Sequence, residues 1–304
     1  MMRSRRWFPR WSVSKRAALA VSVAAAIFGW GGFAEAAAAS TPSLLQSAHN
    51  DFRARKYASA SAKYETLLGR NLPPAQLGGV LVAFCESAMR EGRLGKAESL
   101  TVFARGKLTD PAALSLISFL RGEALYFSGD MQGSQEEYMD FLSGNAQSPF
   151  ANDAIDRLLV IDENGGDDGR PLVAFAHAEF LEFSGARDSA LITLRQILSN
   201  FPGAKVLDEA TMKIGDILSE QGKFNDAIAE YRSLEGSFPK SGLVPVARLK
   251  IARLYSGPLG DSKQAASEFE NIITAFPGTS FATEARNELQ ALKVGVGVGK
   301  SGSR

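Results

Sequence analysis

Small and bulky apolar residues return along this chain at an interval of about 37 residues. Six residues mark the beat, Arg55, Gly92, Gly129, Gly185, Gly222 and Gly260, at steps of 37, 37, 56, 37 and 38. Five positions after each mark stands a small residue: Ala60, Ala97, Ser134, Ala190, Ala227 and Ala265. Nine positions after comes a mostly large one: Tyr64, Thr101, Tyr138, Leu194, Tyr231 and Phe269. Seven positions before, or eight in the last case, lie Ala48, Cys85, Gly122, Ala178, Gly215 and Ala252. Residues four apart share one face of a helix, so a small residue followed by a large one marks where a second helix approaches and what fills the gap. Each interval therefore predicts a helical hairpin. The mark takes the left-handed conformation between its two helices, and Phe-Pro at Phe201-Pro202, Phe238-Pro239 and Phe276-Pro277 halts the second. The three phenylalanines are expected to plug successive units. An Ala stands 25 positions after each of the last four marks, at Ala154, Ala210, Ala247 and Ala285, where the next helix would begin to pack.

"KIGDILSEQGKFNDAIAEYRSLEGSFP" carries the whole order in one stretch, as Gly215, Gly222, Ala227, Tyr231 and Pro239. In this order the sequence resembles the tetratricopeptide-repeat (TPR) family, over about Ser43 to Lys293, with a degenerate N-terminal half where Arg55 replaces the turn glycine. The resemblance implies an all-α fold, an α-solenoid of TPR-like helical hairpins with about fourteen helices. The step of 56 is its one irregularity. It predicts a half-repeat, one extra helix over about Pro171 to Ser184, with an acidic Gly-rich joint at 164–170 dividing two arms. Residues 37–163 then form the N-terminal array and 171–293 the C-terminal array. Glu284 to Lys293 is expected to be a capping helix that closes the last apolar face, and 294–304 a disordered Gly-rich tail. Asp110-Pro111 and Ser148-Pro149 predict helix starts, each pairing an N-cap side chain with a first-turn proline.

The first 36 residues break the pattern. "MMRSRRWFPRWSVSKR" is basic, "AALAVSVAAAIFGWGGF" is apolar, and "AEAAAAS" supplies small residues for a cut after Ala36. That is the layout of a signal peptide (1–36), with a retained membrane anchor as the rival. "SRRWFPR" is similar to the twin-arginine export motif, but no cofactor site accompanies it, so the general secretory route is expected. The one cysteine, Cys85, lies far from the cut, which argues against a lipid anchor. Beyond residue 36 the chain holds 28 Lys/Arg against 32 Asp/Glu. That mildly acidic balance has no electrostatic footprint for nucleic acid.

Chemical motifs are sparse. "GVGVGKS" (Gly295 to Ser301) lacks the first glycine of a phosphate loop, Val294 standing in its place. "DENGGDDG" (Asp162 to Gly169) fails the calcium-loop spacing and reads as a solvated linker. Cys85 falls in the small-residue series and is expected to pack in a core. His49 and His177 belong to no triad or ligand set. No cofactor, metal or enzymatic role is expected.

One pattern bears on binding. The residue after each small position of the first helix reads His49, Glu86, Glu123, Glu179, Asp216 and Arg253. Four earlier stand Leu45, Val82, Phe119, Phe175, Met212 and Leu249. In the TPR family these positions line a concave groove that takes peptides. The resemblance thus implies an apolar track, including Phe119, Phe175 and Met212, bordered by the acids Glu86, Glu123, Glu179 and Asp216. A solvated acidic face over an ordinary core is the alternative. The partner expected is a protein or peptide of the cell envelope with basic and apolar residues, with no nucleic acid and no stable membrane anchor after cleavage. The C-terminal third resembles periplasmic repeat proteins that coordinate envelope constriction and cell-wall synthesis. It is also similar to the repeat lipoprotein of outer-membrane barrel assembly, apart from the missing lipid-site cysteine. The reading is a non-enzymatic scaffold, periplasmic or otherwise exported. The rivals are an accessory subunit of a secretion or polysaccharide-export system, and a small-ligand binding protein or enzyme.

Overall fold

The computed structural model describes residues 40–166 and 168–301, so the leader expected at 1–36 lies outside the described residues. Within them every regular element is helical, and fourteen helices follow one another. The first hairpins are α1 (Thr41–Arg53) with α2 (Tyr57–Leu68), α3 (Pro74–Arg90) with α4 (Leu94–Arg105), and α5 (Pro111–Ser128) with α6 (Met131–Asn145). Then come α7 (Ala151–Asn164), α8 (Arg170–Ser184) and α9 (Arg187–Asn200). The last pairs are α10 (Leu207–Glu220) with α11 (Phe224–Ser237), and α12 (Val244–Ser256) with α13 (Ser262–Ala275), followed by α14 (Ser280–Ser301).

All six marks are where the chain turns left-handed. Gly92, Gly129, Gly185, Gly222 and Gly260 have φ between 65° and 93°, and Arg55 has φ 59°. Arg55 is the one non-glycine with positive φ among the described residues. A side chain there costs about 1–2 kcal/mol relative to glycine, because Cβ crowds the following carbonyl oxygen. The small and large series are interior as predicted: Ala60, Ala97, Ser134, Ala190, Ala227 and Ala265 are all fully buried, as are Tyr64, Tyr138 and Leu194. Cys85 is fully buried too, and burial holds its thiol far above the usual range. The helices before Phe238-Pro239 and Phe276-Pro277 end one residue before each Phe. The Phe residues leave helical geometry at φ −129° and −127°, as the residue before a proline must. Phe201, Phe238 and Phe276 are half-buried, and Phe276 packs on the core of Leu249, Phe269 and Ile272.

Asp110 caps α5 as expected, its carboxylate accepting from the Ala113 amide at 2.7 Å. The Ser148-Pro149 start is displaced, since α7 begins at Ala151. Ser148 instead accepts from the Phe150 amide at 3.3 Å, folding a turn ahead of the helix. The final helix does not stop at Lys293 but runs to Ser301, through part of the segment expected to be a tail. No proline follows Pro277, and glycines alone weaken a helix without forbidding it.

The described residues form two compact units, 40–190 and 191–301. The division therefore falls after Ala190, inside α9, rather than at the acidic joint 164–170. The half-repeat explains why. Helix α8 lies in the expected place along the chain but packs back onto α5 and α3, so it belongs to the first unit. Within that unit α1 to α6 pack as consecutive neighbours, and α3 also packs on α5. In the second unit α10 to α14 pack likewise, with α12 also against α14.

Candidate partner-binding site

In the first unit the expected groove positions are on α3, α5 and α8. Glu86, Glu123 and Glu179 are all buried, at 2%, 6% and 2% exposure. The open acid-lined track predicted from the sequence is thus interior at these three positions. Phe119, Phe175 and Met212 are buried as well. Phe119 stacks on Phe150 at 4.9 Å between ring centroids. Asp216 keeps partial exposure.

The physical reason is the residue fifteen positions on. Tyr138 donates to Glu123 at 2.5 Å, and Tyr231 donates to Asp216 at 2.6 Å. These tyrosines come from the second helix of the same hairpin. Each ring lies so close over the preceding glycine that a Cβ on Gly122 or Gly215 would sit 2.6 or 2.5 Å from a ring carbon. Gly-acid followed by this tyrosine is therefore one packing unit: glycine admits the ring, and the acid receives its hydroxyl. Position 101 holds Thr and position 194 holds Leu, so Glu86 and Glu179 lack that donor and find others.

Glu179 is served from other helices. Tyr126 of α5 donates to it at 2.9 Å, and Arg157 of α7 pairs with it. Arg157 also grips Glu123 through two nitrogens, at 2.9 and 3.2 Å, and its guanidinium lies 4.3 Å from the Tyr126 ring centre. Arg157 is itself buried. Burial alone would lower its pKa, but Glu123 and Glu179 outweigh it and hold the guanidinium charged. Burial pushes the Tyr138 hydroxyl well above its ordinary range, and Glu123 pushes the same way.

Glu86 is less well served. Arg90 reaches one oxygen at 3.4 Å, while Oε2 has no hydrogen-bond partner. Burial raises its carboxyl to about 7 against the pull of Arg90. Arg90 in turn donates to the Phe183 carbonyl at 2.6 Å and stacks 3.9 Å from that ring's centre. In the second unit Asp216 accepts from Lys250 at 2.6 Å, and Arg253 pairs with Glu284 and Glu288 of α14. Burial would raise Asp216, but Lys250 and the Tyr231 hydroxyl outweigh it and hold the carboxyl low.

Sequence reasoning missed Arg90 and Arg157. Arg90 stands four residues after Glu86, a visible helical pairing. Arg157 belongs to no repeat position and had no signal. His177 is exposed, and His49 lies 5.9 Å from the Tyr64 ring with its pKa lowered by burial.

Comparison with known proteins fits the geometry of the second unit first. Residues 209–241 and 246–279 match the tetratricopeptide-repeat family model, over the hairpins α10–α11 and α12–α13. The match is confined to those two hairpins of the second unit. Among solved structures the chain is similar to the TPR2AB-domain:pHSP90 complex of yeast Sti1. That likeness is at 13% identity and TM-score 0.35, covering 83% of this chain and 98% of that one. A TPR protein from Parabacteroides merdae is similar at 16% identity and TM-score 0.34, covering 83% and 98%. Yeast Tom70 is similar at 11% identity and TM-score 0.31, covering 83% and 67%. A search of curated proteins finds no match.

Proposed function

We propose that this chain is an exported, non-enzymatic TPR scaffold that binds protein partners in the bacterial cell envelope, in the coordination of division, cell-wall synthesis or outer-membrane assembly. The observation that carries the reading is the repeat itself: two hairpins match the TPR model, and the same left-handed turn and buried small–large pairing recur in the first unit. Stacked hairpins of this kind offer long surfaces to another chain. The basic–apolar–small layout of residues 1–36 supports export, with a cut after Ala36. The mild acidity of the remainder suits partners with basic residues.

The test is direct. The tagged full-length chain is expressed in a bacterium, the periplasm is released by osmotic shock, and the N-terminus is read by mass spectrometry. The expected outcome is a released chain beginning at Ala37. A chain that stays in the cytoplasm with residues 1–36 attached would refute export. Chemical crosslinking in intact cells, followed by identification of the crosslinked proteins, then tests the scaffold role. Recovery of no envelope protein would refute it.

A further inference from the structure

Two neighbouring ridges of the first unit carry apolar side chains into solvent, with charge of opposite sign beside them. Val102 of α4 and Met139 of α6 each stand ten positions after a turn glycine, and each is 55% exposed. Phe103, next to Val102, is 46% exposed. Ten positions after the other four marks stand Glu65, Arg195, Arg232 and Glu270. Those four form ion pairs along the surface, with Lys96, Glu230, Glu268 and Lys293 in turn. Val102 and Met139 thus interrupt a charged outer row with two apolar side chains at the same height in their hairpins.

The charges around them are segregated. Residues 93–107 hold four Lys/Arg and one acid, whereas 130–145 hold four acids and no Lys/Arg. At like positions of the two hairpins Arg93 answers to Asp130, Ser99 to Glu136 and Phe103 to Asp140. Part of this charge is used within the chain. Arg105 of α4 pairs with Glu137 of α6, which holds the two ridges side by side, and Lys96 is taken by Glu65. Lys107, Glu136 and Asp140 are exposed and form no ion pair among the described residues. The Lys107 ammonium lies 5.9 Å from the Phe103 ring centre, so the α4 ridge ends in a cation beside its aromatic ring.

Second helices of successive hairpins run in the same direction, so the α4 and α6 ridges are parallel. A two-fold axis along the groove between them lays α4 of one protomer on α6 of its partner, twice over. Val102 then meets the partner's Met139, Arg93 meets the partner's Asp130, and Lys107 lies about one helical turn from the partner's Asp140. An axis across the ridges would instead lay α4 on α4 and α6 on α6, setting like charges together. The first arrangement is self-complementary and closes at two copies, because each ridge is used once. We infer that this face is a self-association surface whose occupant is a second copy of the chain, α4 of each copy seated on α6 of the other. The inference goes beyond the scaffold reading and does not depend on export.

Sedimentation velocity of the full chain should show a dimer that forms with rising concentration and weakens in high salt, because exposed charges surround the contact. Lys107→Glu and Asp140→Lys, each shown folded by circular dichroism, should each weaken the dimer about tenfold, and the double variant should recover it. Disulfides then read the pairing, since the native Cys85 is buried. Two differently tagged full chains, one Val102→Cys and one Met139→Cys, are mixed and oxidised. A disulfide joining the two tags is expected, because these positions face each other within bridging reach. A chain that stays monomeric at every concentration, or disulfides that join 102 to 102 in preference to 139, would overturn the inference. Failure to crosslink any envelope partner would sink the scaffold reading and leave this result standing.

Discussion

At Glu86 a carboxyl group is buried with one cation at the edge of bonding distance and one oxygen unserved. Its folded pKa of about 7 stands above the 4.5 of an unperturbed glutamate. A raised carboxyl pKa stabilises the fold fully below the unfolded value, and that contribution fades as pH rises through the folded one. Between pH 4.5 and 7 the first unit should therefore lose stability, by about 3 kcal/mol at most. Glu86→Gln should flatten that dependence, and chemical denaturation at pH 5 and pH 8 reads the difference. Gly215 yields a second test. Alanine would gain up to about 1 kcal/mol in helix propensity. Its Cβ, however, would meet a ring held by Asp216 at 2.6 Å and unable to yield. Overpacking of that kind costs about 1–3 kcal/mol, so Gly215→Ala should destabilise by up to about 2 kcal/mol. Gly215→Ala/Tyr231→Leu, which copies the Ala178 and Leu194 combination of another repeat, should recover part of the loss. Denaturant midpoints of the single and double variants measure that coupling.

At the scale of helices, the turn between α1 and α2 is made by an arginine where five other turns use glycine. Arg55→Gly relieves the left-handed strain but adds freedom to the unfolded chain, leaving a net gain of about 0.5–1 kcal/mol. The melting temperature should rise by about 2 °C in calorimetry. Arg157 binds α5, α7 and α8 through two carboxylates. Arg157→Met would strip its guanidinium from the buried Glu123 and Glu179 and should cost about 3–5 kcal/mol. Helix boundaries and turns were legible in the sequence because their requirements are local: a left-handed φ asks for glycine, and Phe-Pro stops a helix wherever it falls. The fate of the acids was not. Apart from Arg90, four residues after Glu86, their partners lie 15 to 53 residues away, and α8 reaches Arg90 from beyond any repeat spacing. A row read as a solvent-facing track is interior because side chains from neighbouring helices, Tyr138 of α6, Arg157 of α7 and Tyr126 of α5, close over the acids.

At the scale of the molecule, each unit is a short stack whose ends must be closed. In the second unit that task falls to α14, where Ala285 and Leu289 lie against Leu249, Ala252, Phe269 and Ile272. Nearest-neighbour coupling predicts that loss of an end helix weakens the hairpin beneath it most. A chain ending at Thr279 should therefore show faster hydrogen exchange across 244–275, with 40–166 unchanged. Uniform acceleration across both stretches would argue against stacking as the source of stability. The interior of the first stack also decides its redox chemistry. Its sole thiol, Cys85, is sealed from solvent and held protonated. An oxidising compartment thus offers this chain no route to mixed disulfides or covalent dimers. The same seclusion turns the native sequence into a ready host for spectroscopy. A cysteine written at an outward position such as Val102 or Ile192 would be the one reactive handle, able to carry a dye or spin label without a prior cysteine-free background.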